Sequence, residues 1–102
     1  MFQIISVTTT SLSFSWLEPA ESNGPIMSYR LSCQPLLSGI PTPEPLNPGS
    51  TVRMTVLANL NPGVRYNCSI GARNGAGQSP LVYADDTTME IGRIIMYNIM
   101  LL

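Results

Sequence analysis

The chain has 102 residues, of which 44% are hydrophobic and only 11% charged, and its formal net charge at pH 7 is −1. That length suits one domain with a single core, and a near-neutral chain without a block of like charge has no electrostatic basis for binding nucleic acid or an acidic membrane. Histidine is absent, so the commonest general base and metal ligand is missing.

Two strands are predicted at the start of the chain, over residues 2–7 and 11–16. The second alternates Leu12, Phe14 and Trp16 with serines, which is the period-two pattern of a strand with one buried face. We expect Trp16 to contribute most to the core, because burying such a ring removes about 150–250 Å² of surface from water. Pro19 ends the strand, and a turn is predicted at 21–25.

A third strand is predicted over 26–34, with four residues on its apolar parity: Met27, Tyr29, Leu31 and Cys33. Five prolines between positions 35 and 49 then predict a semi-rigid connection, with at most one short edge strand near Leu36-Leu37. A proline-rich ligand for another module is the alternative, although the stretch lacks the basic residue that such ligands usually carry.

The next strand is predicted over 51–57, where Val52, Met54 and Val56 alternate with Arg53 and Thr55. The adjacent pair Val56-Leu57 breaks this parity. We therefore expect a register slip or a β-bulge there.

The stretch from Leu60 to Arg73 is the most informative of the chain. It opens with a Pro-Gly turn and continues as a strand with Tyr66, Cys68 and Ile70 on one face and polar residues on the other. A leucine and a proline ahead of the tyrosine fit a tyrosine corner, in which the phenol ring packs inward and its hydroxyl bonds back to the turn. Such a corner is typical of a two-sheet sandwich.

The rest of the chain completes an all-β pattern. A glycine-rich hairpin loop is predicted at 74–78 and a returning strand at 80–88, and no helical period occurs before residue 90. The predicted domain is 1–89. The apolar stretch 90–102 is placed outside it. Because this stretch is too short to cross a bilayer by itself, a truncated or non-native end is favoured, with the start of a membrane anchor as the alternative.

Four motifs resemble those of fibronectin type III domains, in order and spacing over residues 3–88. They are Trp16-Leu17-Glu18-Pro19, the run from Asn23 to Leu31, Leu60 to Tyr66, and Ala72 to Ser79. The resemblance implies an immunoglobulin-like, seven-stranded antiparallel β-sandwich with sheets A-B-E and C-C′-F-G in the family's strand letters. It also implies a module of a receptor or matrix protein. An immunoglobulin domain is disfavoured because Trp16 precedes both cysteines.

Several residues carry structural expectations. The resemblance makes the strands of Cys33 and Cys68 antiparallel neighbours, so a disulfide is predicted, with two buried free thiols as the alternative. Asn67-Cys68-Ser69 fits a glycosylation acceptor whose asparagine faces solvent. The predicted structural core comprises Trp16, Tyr29, Leu31, Leu60, Pro62, Tyr66 and Ile70.

The leading functional hypothesis is a non-catalytic structural or protein-binding module of a cell-surface receptor or adhesion protein, with neighbouring domains or other proteins as partners. An intracellular module of a cytoskeletal or scaffold protein is the alternative. The carboxylates lie in loops or near strand ends, which disfavours an enzyme, and no cofactor or metal is expected. Arg30, Arg65 and Arg73 share the outward parity of neighbouring strands, so they are a possible partner face; scattered, solvated charge is the simpler interpretation.

Overall fold

The computed structural model describes residues 1–19 and 24–91. Seven strands are present in this part of the chain: β1 Phe2–Val7, β2 Leu12–Trp16, β3 Ser28–Pro35, β4 Met54–Leu57, β5 Arg65–Asn74, β6 Gly77–Gln78 and β7 Val82–Thr87. They form a three-stranded sheet in the order β1-β2-β4 and a four-stranded sheet in which β3, β6 and β7 all pair with β5. Every pairing is antiparallel, so the predicted all-β sandwich is confirmed.

The core lies between the two sheets and follows the alternation of the sequence. Strand β2 buries every second side chain, and β5 does the same from Tyr66 to Ala72. Six of the seven residues expected in the core are buried and Pro62 is half-buried. The buried six are Trp16, Tyr29, Leu31, Leu60, Tyr66 and Ile70.

Strand β4 departs from the expected pattern in two ways. Its register with β2 is continuous from Leu12↔Leu57 to Ser15↔Met54, so the slip predicted at Val56-Leu57 is wrong. The side chains of Thr55 and Leu57 face the core, whereas the apolar residues that alternate with them face solvent. Among the described strand pairs, the only register shift lies instead in β1, between Ile4 and Ser6.

The edge strand expected near Leu36-Leu37 is also absent, and both leucines are exposed. The free side of β3 is covered further along the proline-rich connection instead. Leu46 exchanges two backbone hydrogen bonds with Leu31, and the Pro48 carbonyl accepts from the Tyr29 N–H at 2.8 Å. One proline, Pro48, and one leucine, Leu46, thus supply carbonyl acceptors to β3 at isolated positions, without a continuous strand.

The predicted tail 90–102 falls outside the described residues except for Glu90 and Ile91. No helix in the described part of the chain has the length and apolar character needed to span a bilayer.

Candidate binding surfaces

One end of the sandwich is the predicted tyrosine corner, and Thr88 completes it. The Asn61 N–H donates to the Tyr66 hydroxyl at 3.0 Å, so this hydroxyl accepts the bond from the turn. The Thr88 hydroxyl accepts from the Val64 N–H at 3.0 Å and donates to the Asn61 carbonyl at 2.6 Å. Gly63, at φ 67°, supplies the left-handed residue that the turn requires. Both termini of the turn are therefore fixed by buried side chains.

A disulfide joins Cys33 to Cys68 near the same end. The two residues face each other in the β3–β5 register, and their Cα atoms are 4.0 Å apart, closer than the expected 4.5–5.5 Å. The backbone N–H and carbonyl of Leu31 bond to Leu46 and therefore point away from β5. Cys33, two residues further along β3, directs its backbone groups to the same side, so it forms a non-hydrogen-bonded pair with its partner on β5. Such pairs have the shorter of the two Cα separations in an antiparallel ladder, about 4.5 Å, so this register favours a close approach of the two cysteines.

The opposite end of the sandwich is open. A cavity of about 480 Å³ lies there, between the start of β1 and the start of β7, and its walls include Phe2, Trp16, Tyr29 and Val82. Trp16 and Tyr29 are 4% and 2% exposed, yet the indole N–H and the phenol hydroxyl have no hydrogen-bond partner among the described residues. Glu18 is the only described carboxylate on the wall of the cavity.

Arg53 closes one side of this open end. Its guanidinium lies 5.5 Å from the centre of the Tyr29 ring, donates to the Ser50 and Val52 carbonyls, and pairs with Glu18 at 3.5 Å. The Trp16 and Tyr29 rings are themselves 5.5 Å apart and tilted. Arg53 is thus a structural cation, which the sequence pattern did not reveal because it placed the inward parity of this strand on the valines.

The three arginines of the proposed partner face lie on the outer surface of the four-stranded sheet. Arg65 forms an ion pair with Asp85, and both side chains are largely exposed, so the pair contributes at most about 1 kcal/mol. Neither Arg30 nor Arg73 forms an ion pair with a described carboxylate. The structure therefore splits the set into one arginine with an ion-pair partner and two without one among the described carboxylates.

Two residues that the sequence analysis did not assign to this surface, Leu81 and Tyr83, also lie on it. Leu81 and Gln78 lie over Gly71, where an added Cβ would meet the Leu81 Cδ2 at 3.0 Å and Gln78 atoms at 3.2 Å. Gly71 pairs with Arg30 in the β3–β5 register, so Leu81 lies beside that arginine. Tyr83, opposite Ser69, is 61% exposed. We call the outward residues Arg30, Arg65, Asn67, Arg73, Leu81, Tyr83 and Asp85 the arginine face.

Asn67 is at the centre of the arginine face. It lies between Gln34 on β3 and Asp85 on β7, and it is half-buried. A glycan there would cover the surface between the strands. Glycosylation and a protein contact through this face are therefore competing uses of one surface.

Comparison with known proteins finds a matching domain family and several relatives, each of which is a much longer protein. The family profile of the fibronectin type III domain matches residues 1–83. Human integrin beta-4 is 37% identical over 86 residues, which cover 78% of this chain and 4% of that protein. Chicken receptor-type tyrosine-protein phosphatase U (Gallus gallus) is 34% identical, over 81% of this chain and 6% of its own. Zebrafish neural cell adhesion molecule L1.1 (Danio rerio) is 30% identical, over 83% of this chain and 7% of its own.

Solved structures show the same fold. The fn3 domain of the human collagen alpha-1(XX) chain superposes with a TM-score of 0.72 at 26% identity, covering 87% of this chain and 81% of that one. A computationally redesigned β-sandwich protein superposes with a TM-score of 0.73 at 25% identity, covering 89% and 93% of the two chains. The chain spans less than a tenth of the length of the three full-length relatives above.

Proposed function

Because the chain belongs to the fibronectin type III family, we propose that it is a non-catalytic, protein-binding module, spanning residues 1–89, of a multidomain cell-surface receptor or adhesion protein. The relatives support this role through their names, which include an integrin, a receptor-type phosphatase and a cell adhesion molecule. The observation that carries the proposal is the composition of the arginine face.

The arginine face has the residue types that protein interfaces favour. Arginine and tyrosine are enriched at interfaces because one side chain offers both apolar area and directed hydrogen bonds. Here Tyr83 is 61% exposed, Leu81 is 41% exposed, and Arg30 and Arg73 have no described carboxylate partner. The partner that fits this surface is a protein with an acidic patch around an apolar centre, because it would supply the missing counter-charges.

The disulfide supports the cell-surface assignment over an intracellular one. Disulfides persist in oxidising compartments and are rare in the cytosol. Cys33 and Cys68 are 1% and 0% exposed, so the disulfide lies in the core of the folded domain and not on its surface. Intact mass measured without reductant on protein from its native source tests this choice. Two free thiols there would favour the intracellular alternative.

A photo-crosslinking experiment tests the binding face. Tyr83 is replaced by p-benzoylphenylalanine, an aromatic residue at an exposed position, in the parent protein on living cells. We expect a crosslinked species containing a second polypeptide, and its loss when Arg30→Glu and Arg73→Glu are added. The same photo-reactive residue at Gln3, an exposed position on the other sheet, is the matched control. Equal crosslinking from both positions would reject the arginine face.

The glycan prediction at Asn67 is tested in the same system. Glycosidase treatment of protein secreted by eukaryotic cells should lower its mass if Asn67 carries a glycan, and Asn67→Gln should abolish that change. Since a glycan would cover the arginine face, crosslinking at Tyr83 should be stronger in Asn67→Gln than in the glycosylated protein. A mass unaffected by glycosidase ends the glycan prediction and leaves the contact prediction standing.

A further inference from the structure

Strand β4 is an edge strand of the three-stranded sheet. In an ordinary half-buried strand the apolar parity faces the core, whereas in β4 it faces solvent. Met54 is 62% exposed and Val56 is 55% exposed, while Thr55 on the other parity is half-buried. Val52, directly before the strand, is 36% exposed and shares their parity. The apolar parity of β4 therefore lies on the surface of the molecule.

The other sheet edges are protected in ways that β4 lacks. The edge of β1 is interrupted by the register shift between Ile4 and Ser6, and that strand packs beside β7. The edge of β3 is covered by residues 46–49, and β7 carries exposed Asp85 and Asp86. Bulges, prolines, covering segments and charges are the means by which proteins keep strand edges from pairing with other chains.

Strand β4 itself has no charged side chain that would oppose pairing with another strand. Its four residues are uncharged, and the neighbouring Arg53 is turned inward toward Tyr29 and Glu18. In the described part of the chain, neither the residues of β4 nor the adjacent Arg53 therefore protect this edge. An unguarded, apolar edge is the surface feature most prone to pair with another strand.

The backbone of β4 offers a defined set of hydrogen bonds at this edge. The Trp16 N–H donates to the Arg53 carbonyl at 3.0 Å, so Trp16 and Arg53 form a hydrogen-bonded pair between β2 and the start of β4. Hydrogen-bonded pairs alternate along an antiparallel ladder, which directs the groups of Thr55 and Leu57 toward β2. The N–H and carbonyl groups of Met54 and Val56 consequently point outward. No hydrogen bond from elsewhere in the described residues reaches them.

We propose that β4 is a self-association edge, at which a second copy of this chain pairs antiparallel about a two-fold axis through Thr55. This register sets Met54 of one copy opposite Val56 of the other, twice, and satisfies all four outward backbone groups on each copy. It also places the exposed apolar side chains of β4 from the two copies next to each other on the same sheet surface. A second copy fits because the edge carries no charge, so a symmetric contact creates no like-charge repulsion.

Sedimentation equilibrium of the full chain tests the proposal with two substitutions that act differently. Val56→Lys places like charges across the two-fold axis on an exposed side chain. Val56→Pro removes an outward N–H while leaving the ladder to β2 intact, which an edge position tolerates. We expect the wild type to dimerise reversibly and both variants to dimerise at least about tenfold more weakly. Leu37→Lys, the same charge change at an exposed loop residue, should behave as wild type.

A second readout separates this contact from association through any other surface. In a mixture of isotope-labelled and unlabelled copies, the Thr55 Hα of one copy should show a nuclear Overhauser contact to the Thr55 Hα of the other. A chain that remains monomeric up to about 1 mM overturns the proposal and leaves the edge to a strand of different sequence. A dimer that persists unchanged in both Val56 variants, without the Thr55 contact, overturns it as well.

Discussion

The two ends of the sandwich treat their buried polar groups in opposite ways. At the corner end, the Tyr66 and Thr88 hydroxyls and the backbone of the turn are joined by hydrogen bonds of 2.6–3.0 Å. At the open end, the Trp16 indole and the Tyr29 hydroxyl are buried without a partner among the described residues, beside a cavity of about 480 Å³. The same pair of sheets thus has one end that is polar and bonded and another that is aromatic and open.

This contrast shows what each end contributes. A buried hydrogen bond fixes geometry, because breaking it leaves a group that water cannot reach. A buried polar group without a partner has a desolvation cost, which offsets part of the stabilisation from the apolar area and ring contacts of its side chain. We infer that the corner end sets the relation between the two sheets and that the open end contributes mainly hydrophobic burial.

The largest predicted effect comes from removing the covalent link near the corner end. The double variant Cys33→Ala, Cys68→Ala should be less stable by roughly 3–4 kcal/mol, because the link closes a loop with a sequence separation of 35. Urea unfolding without reductant measures this difference. Wild-type protein unfolded with reductant should lose a similar amount, and a loss under 1 kcal/mol would show that the link adds little to this end.

Thr88→Val should have the next largest effect, about 2 kcal/mol. The substitution keeps the shape of a side chain that is 2% exposed, but leaves the buried Val64 N–H and the Asn61 carbonyl without their bonds. Thr88→Ser keeps the hydroxyl and should retain most of the stability. The neighbouring Thr87→Val, at an exposed position, should stay within about 0.5 kcal/mol of wild type. Equal losses in the two valine variants would contradict the role of Thr88.

Arg53→Met tests what holds the open end, and a loss of about 1 kcal/mol is expected. The methionine keeps much of the apolar stem over Tyr29 but removes the cation–π contact and the partly exposed pair with Glu18. Arg30→Met, which removes an arginine without an ion pair to a described residue, should cost less than about 0.5 kcal/mol. If the two losses are equal, Arg53 is only a surface charge.

The corner end could be predicted from the sequence because its signals are local. The turn residues and the tyrosine lie within the seven positions from Leu60 to Tyr66, and alternation along one strand sets Cys68 on the inward parity. Thr88 could not be found in this way. It is distant in sequence and reads as one more polar residue after an acidic strand, and only the tertiary fold brings it under the turn.

The open end and β4 were harder to predict for a different reason. The sequence pattern assumes that the apolar parity of a strand is the buried one, which holds for β2 and β5. In β4 the inward parity includes Thr55, while Met54 and Val56 face solvent. In the proline-rich connection, at most one short edge strand was expected, near Leu36-Leu37. The backbone groups of Leu46 and Pro48, further along the connection, bond to β3 instead, and a proline keeps its carbonyl as an acceptor although it lacks an N–H.

The most direct test of the contrast between the two ends removes one tyrosine hydroxyl at a time. Tyr66→Phe and Tyr29→Phe make the same chemical change in side chains that are 1% and 2% exposed. Within residues 1–19 and 24–91, only the Tyr66 hydroxyl of these two has a hydrogen-bond partner, the Asn61 N–H, from which it accepts. Urea unfolding should show Tyr66→Phe less stable than wild type by about 1–2 kcal/mol, and Tyr29→Phe within about 0.5 kcal/mol or more stable. A loss for Tyr29→Phe as large as that for Tyr66→Phe would contradict the account.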